Sequence, residues 1–322
     1  MLKIDNHTIL VVGDVMIDRY VTGEITRESP EAPVSVLVKE NEESKLGGAA
    51  NVALNLQALG CTPILMGIGG EDDNLHKLKS LLSAAQINHI IVSDENRKTT
   101  VKTRVMNGPI HLLRVDEESD HYLSAEKEYF FIETAENLML EEKVKALVFQ
   151  DYNKGALSPL TIDRLIRKAK ELSIPVIVDP KEENLAYYRG VDILKPNLKE
   201  LSFLEGRPIT WEEAIDRSIL KSIREKATCS HLIATLSEHG IVWNAQEDHV
   251  HIEAIERNIS DVCGAGDTVL STLVACYISG IDMTTTLHLA NIAGGQVCEL
   301  PGVVTINLEK LLVEYQALTA SS

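Results

Sequence analysis

Asp261-Val262-Cys263-Gly264-Ala265-Gly266-Asp267-Thr268 sets two glycines and an acidic residue immediately before an apolar run, residues 269–276. Glycine lets a backbone turn tightly and approach a ligand closely. The run that follows reads as a buried helix ending near Gly280. Gly264, Ala265 and Gly266 therefore fall at a helix N-terminus, where free N–H groups and the positive end of the helix dipole favour a phosphate or another anion. Asp267 lands in the first turn beside that site. A carboxylate there can take a proton from a hydroxyl while the backbone steadies the charge on a transferred group. The same eight residues read equally as an ordinary acidic cap on a Gly-rich helix start.

Outward from this stretch, short apolar runs alternate with helical patterns. Strands are expected over residues 8–12, 63–68, 89–92, 144–150, 175–178, 192–194 and 231–235. Helices are expected over 49–59, 73–85, 158–172, 198–204 and 211–226. Strands separated by helices of this length predict an α/β fold with a mostly parallel sheet and crossovers. Two segments break the rhythm: residues 34–38, and residues 101–105 with their return at 110–115 across the hairpin signal Asn107-Gly108. They predict a small antiparallel sheet projecting from the body as a lid. A second hairpin is expected across residues 240–243 and 249–252. The chain reads as one domain, 1–322, with lid segments near 19–44 and 99–116.

With 44% hydrophobic residues in 322, the chain can bury a sizeable core. Its net charge of −17 argues against nucleic acid or an anionic membrane as partner, though not against a small anion held locally. Five cysteines without a C-x-x-C pair suit a reducing compartment, and nothing near Cys263 suggests a catalytic thiol. No signal-peptide pattern or apolar run of membrane-spanning length is visible, so a cytoplasmic protein is expected.

Asp14, Asp151, Asp179 and Asn197 each follow an expected strand. In open parallel sheets, ligands bind beyond the carboxyl ends of the strands. Together these residues describe an acidic cleft suited to sugar hydroxyls and a divalent cation; singly, each reads better as a turn or cap. Gly47 and Gly48 open a second Gly-rich helix start with Asn51 in its first turn, suited to a small polyol. Asn197 and Glu200, three apart, could order water around Mg2+, but their spacing is better read as a capping box. No P-loop is present, and residues 67–72 fail the dinucleotide pattern at Asp72.

Taken together, Leu46-Gly47-Gly48-Ala49-Ala50-Asn51-Val52-Ala53 and the opening octapeptide resemble the two signatures of the ribokinase-like (PfkB) sugar kinases, in the same order. Residues 12–20, 29–34, 151–157 and 178–181 resemble the branch acting on D-glycero-β-D-manno-heptose 7-phosphate. No H-x-G-H segment occurs, so a fused nucleotidyltransferase activity is not expected. The resemblance implies a three-layer α/β/α fold and ATP- and Mg2+-dependent phosphorylation of a sugar. It makes Asp267 the general base, with Gly264, Ala265 and Gly266 as the anion hole. Asp14, Gly47, Gly48 and Asn51 would hold the sugar, and Asn197 and Glu200 would organise Mg2+ and the ATP phosphates. Thr235, Ser237 and Gly240 would border the nucleotide, with Asn291 near the adenine. Lys154, Arg104 and Arg114 are the candidates for the 7-phosphate, and the lid would pair two copies into a homodimer. Cys263 stands where the family commonly has Thr; Asn153 and Leu236 stand where the heptose branch more often has Gly and Arg. The alternatives are another sugar kinase of the family, acting on ribose, fructose or a hexose phosphate, or a non-catalytic sensor on the same fold.

Overall fold

The computed structural model describes residues 3–320. The chain opens with β1 (Thr8–Gly13), separated only by Asp14 from β2 (Val15–Glu28); β3 (Ser35–Gly48) returns antiparallel to β2 and runs straight into α1 (Ala49–Ala58). Then come β4 (Thr62–Gly70), α2 (Asp73–Ala84), β5 (Asn88–Asp94), β6 (Val101–Asn107), β7 (Ile110–Glu117) and α3 (Ala125–Glu141). They are followed by β8 (Ala146–Gln150), α4 (Pro159–Glu171), β9 (Val176–Asp179), β10 (Ile193–Leu194) and α5 (Leu198–Glu205). The rest is α6 (Trp211–Ala214), α7 (Arg217–Ala227), β11 (His231–Thr235), β12 (Ile241–Asn244), β13 (His249–Ile252), α8 (Ala265–Ile278), α9 (Met283–Cys298) and α10 (Leu308–Ala320).

Nine strands form the main sheet in the order β13-β12-β11-β10-β9-β8-β1-β4-β5, parallel except at the β11-β12-β13 edge. Alternate residues of a strand face opposite sides. Ile9 and Val11 accordingly enter one apolar cluster, with α1, α2, α8 and α9, while Leu10 and Val12 enter the other, with α3, α4 and α7. That double burial is why these strands read as unbroken apolar runs. The fold is the three-layer arrangement expected, with helices on both faces. No helix among the described residues is long and apolar enough to cross a membrane.

The segments expected to form a lid make a second, four-stranded sheet, β3-β2-β6-β7. Its pairs β2-β3 and β6-β7 are antiparallel, but β2 and β6 join in parallel, a pairing between segments distant in sequence. β2 and β3 are also longer than local patterns suggest, 14 residues each, because each begins or ends inside the main body: Val15, Met16 and Ile17 are buried, as are Leu46, Gly47 and Gly48. The helix expected over residues 211–226 is two, α6 and α7. Asp216 interrupts it by capping α7, its side chain accepting from the amides of Ser218 and Ile219.

Candidate active site

The parallel strands β1, β8, β9 and β10 end on one edge of the main sheet, which gathers Asp14, Gln150, Asp151, Asp179 and Lys195. The N-termini of α1 and α8 meet this edge. Gly48 caps α1 with φ 58° and Gly264 caps α8 with φ 79°, both in the left-handed range that favours glycine, and neither helix has a side-chain cap. A β-carbon on Gly264 would lie 2.8 Å from Asn51 Nδ2, so the two Gly-rich starts are in direct contact.

Asp267 is 3% exposed and lies where they meet. Its Oδ2 accepts from Asn51 Nδ2 at 2.8 Å; its Oδ1 accepts from the Tyr152 hydroxyl at 2.8 Å and from Gln150 Nε2 at 3.2 Å. Asn55 donates to Asn51 Oδ1 at 3.0 Å and so turns the Asn51 amide nitrogen toward the carboxylate. Burial pushes the Asp267 carboxyl up to about 7, a rise opposed by the Asn51 and Tyr152 hydrogen bonds, reinforced by Asp179 and opposed by Lys195. Among the amides of the α8 cap, that of Ala265 makes a long 3.3 Å bond to the Val262 carbonyl. A buried cation stands nearby: Lys195, 2% exposed, pairs with Asp179 Oδ2 at 3.0 Å, and both lie 4.0 Å from a β-carbon built on Gly266.

The strand-end carboxylates divide by role. Asp14 accepts from the amides of Tyr152 (2.8 Å), Lys154 (3.0 Å) and Ala156 (3.1 Å), and Asp151 from the Tyr188 hydroxyl (2.7 Å), Asn184 Nδ2 (2.9 Å) and the Asn153 amide (2.8 Å). Burial raises both, Asp151 to about 6 with a further contribution from the Asp14 charge. Together they pin the loop that carries Tyr152. Asp14 Oδ1 takes one amide, against two on Oδ2.

Asn197 and Glu200 form the capping box. Asn197 Oδ1 accepts from the amides of Lys199 (2.9 Å) and Glu200 (3.0 Å), while Glu200 Oε2 accepts from the Asn197 amide at 2.9 Å. Glu200 Oε1 is paired with Lys181 Nζ at 2.7 Å. As they stand, these two side chains do not fit direct ligation of Mg2+: the amide oxygen already serves two donors and the carboxylate is neutralised by a lysine. No group of three or more His, Cys, Asp or Glu that could hold a metal occurs among the described residues. Thr235 bridges to Asn197 in a parallel pair, and Ser237 and Gly240 form the turn beside it. Asn291, on α9, donates to the Glu253 carbonyl at 2.7 Å and lines a cavity of about 360 Å³ with His251 and His288; His251 contacts the His239 carbonyl, so the cavity adjoins the Ser237–Gly240 turn.

On the lid, Arg104 and Arg114 oppose one another in the β6-β7 ladder and share a face. Arg104 is buried, ion-paired with Asp18 and stacked 5.3 Å from the Tyr20 ring; Arg114 is exposed and donates to Asp116 at 2.9 Å. Lys154 Nζ reaches Glu118 at 3.0 Å. The three cations expected for a substrate phosphate are therefore each paired with a carboxylate. Gln150, Tyr152, Lys181 and Lys195 carry no role in the sequence reading. A polar residue closing an apolar strand, as Gln150 and Lys195 do, is the signal that points to them.

The fold and site define a phosphotransferase of the sugar-kinase kind, and residues 6–311 match the pfkB family carbohydrate kinase model: the chain belongs to that family. It is 38% identical over 312 residues to the bifunctional protein HldE of Pseudomonas aeruginosa, covering 97% of this chain and 64% of that protein. It is 37% identical over 317 residues to the protein of the same name from Koribacter versatilis, covering 98% and 64%. The chain thus spans about 64% of the length of the curated relatives it matches. Among solved structures, phosphofructokinase-2 from Escherichia coli superposes with a TM-score of 0.80 at 17% identity (98% and 100% covered) and ribokinase from Arabidopsis thaliana with 0.71 at 19% (97% and 99%). These establish the fold.

Proposed function

We propose that this chain transfers a phosphoryl group from ATP to the C1 hydroxyl of D-glycero-β-D-manno-heptose 7-phosphate, giving the 1,7-bisphosphate used in ADP-heptose and lipopolysaccharide core synthesis. The observation that carries the phosphotransfer reading is Asp267: a buried carboxylate, raised to about 7, beside a helix N-terminus with no side-chain cap. Asp267 takes the proton of the attacking hydroxyl, and the cap amides of Gly264, Ala265 and Gly266, with Lys195, meet the charge on the transferred group. ATP, carrying Mg2+ on its phosphates, supplies the phosphoryl group. Asn197, Glu200, Thr235, Ser237 and Gly240 wall the nucleotide side, and the cavity at Asn291 suits a purine base. Asp14, Gly47, Gly48 and Asn51 hold the sugar. Arg104, Arg114 and Lys154 meet its 7-phosphate, each exchanging a carboxylate partner for the phosphate.

The heptose assignment is supported by residues 12–20, 29–34, 151–157 and 178–181, and by the HldE likeness across 97% of the chain. Residues 1–322 then act as one kinase unit, in the cytoplasm, with a lid that closes over the sugar. Exposed Ile110, Leu112, Leu113 and Val115 on β7 suit a homodimer made through that lid. An ADP-release assay on heptose 7-phosphate beside ribose and fructose 6-phosphate tests the assignment: turnover at least tenfold faster on the heptose supports it, and preference for another sugar replaces it.

A further inference from the structure

The two oxygens of Asp267 are held unequally. Oδ1 serves two donors, the Tyr152 hydroxyl at 2.8 Å and Gln150 Nε2 at 3.2 Å; Oδ2 serves Asn51 Nδ2 at 2.8 Å. A carboxylate oxygen offers about two acceptor sites. Oδ1 is filled and Oδ2 keeps one open. We propose that Oδ2 is the atom that accepts the proton of the sugar hydroxyl, and that Tyr152 and Gln150 are positioning residues that lock Oδ1 and aim Oδ2 at the substrate. This rests on the reading of Asp267 as the base.

Both donors are fixed from behind. The Tyr152 amide donates to Asp14 Oδ2 at 2.8 Å, and Lys181 Nζ stands 5.5 Å from the centre of its ring, itself tied to Glu200. Burial and the Asp267 charge push the phenol well above its ordinary range, which keeps it a donor. Gln150, 1% exposed, donates through Nε2 to both Asp267 and Asp179, the latter at 3.3 Å. Its Oε1 has no partner among the described residues. An orphaned buried acceptor is unfavourable, but the opposite amide orientation would turn that oxygen on two carboxylates. The orphan is explained if the N–H2 side is held toward Asp267. The other charged groups facing Asp267 are Asp179 at the end of β9 and Lys195 after β10; α1 presents the neutral Asn51, and α9 meets α8 through Gly294 against Val269.

The test is the pH profile of kcat/KM, with kcat and KM for the sugar phosphate that the ADP-release panel identifies, in Tyr152→Phe and Gln150→Met. Each removes a donor that favours the ionised carboxylate, so the acid limb should move up by about half to one pH unit. kcat should fall about tenfold with KM within twofold. A rise in kcat on freeing Oδ1 would mean that Oδ1 is the proton acceptor and overturn the proposal. An unmoved limb with a raised KM alone would make Tyr152 a substrate contact and overturn it equally. Gln150→Met carries the test if Tyr152→Phe does not fold. Asp267→Asn separates the two levels: retained turnover overturns the base itself, whereas an inactive Asp267→Asn with unmoved limbs in both other variants overturns only the positioning.

Discussion

The N-termini of α5 and α8 lie near the same sheet edge and are built in opposite ways. α5 is closed: Asn197 and Glu200 satisfy each other's amides, and Lys181 neutralises the carboxylate. α8 is open: Gly264, at φ 79°, has no side chain to cap with, and among the described residues only a long bond from the Ala265 amide to the Val262 carbonyl engages its first amides. A capped end has its donors engaged, and an uncapped one presents them to an anion. Both ends are phosphate candidates by sequence. The difference favours the proposal that α8 binds the anion, and it leaves α5 with its capping side chains already engaged.

The hardest test of that contrast is Asp267→Asn. Removing a general base lowers kcat by roughly 10²–10⁴-fold, while ATP affinity, measured by calorimetry, should change little, because the α8 amides remain. Retained turnover would erase the distinction between the two ends. The pH profile sharpens the same point. If Asp267 is the base, it works as the carboxylate, and its value of about 7 means that kcat/KM should be flat above that pH and fall about tenfold per unit below it. A limb near 4 would show that burial does not raise the Asp267 carboxyl.

Gly264→Ala comes next. A side chain at positive φ is strained by roughly 1–2 kcal/mol, and its β-carbon would press on Asn51 at 2.8 Å. About a tenfold loss of kcat is expected, with secondary structure by circular dichroism unchanged. Asn197→Ala should have the smallest catalytic effect. Loss of a cap costs about 1 kcal/mol of stability, seen as a lower denaturant midpoint, with kcat within a few-fold. A loss of kcat matching that of Asp267→Asn would show that α5 handles the reacting group directly.

Much of this arrangement is legible along the chain. The strand runs, the Asn107-Gly108 hairpin and both Gly-rich helix starts are local patterns, and they fall within a few residues of β1, β4, β5, β8, β9, β10 and β11, of β6 and β7, and of α1 and α8. Other features are not drawn from such patterns. α3, α9 and α10 lie outside the elements read from sequence, although Ser124 and Asp282 cap the first two. The break at Asp216 needs its side chain to prefer the α7 amides over continuing a helix. The parallel β2-β6 pairing joins segments more than 80 residues apart and has no local signature.

The sequence by itself determined the layers, the two glycine caps and the presence of an acidic residue in the first turn of α8. Those depend on period, φ preference and neighbouring residues, all short-range quantities. Only the tertiary structure decided which carboxylates remain available. Asp14 and Asp151 hold their own loop, Asp179 holds Lys195, and Glu200 holds Lys181. Asp267 draws its three donors from α1, the end of β8 and the loop after it, 115 to 216 residues away. Hydrogen-bond satisfaction inside a buried site is settled by groups that only the fold brings together: Asp267, Asp14 and Asp151 are all raised by burial, Asp267 to about 7, while Asp14 and Asp151 are also tied to the loop after β8.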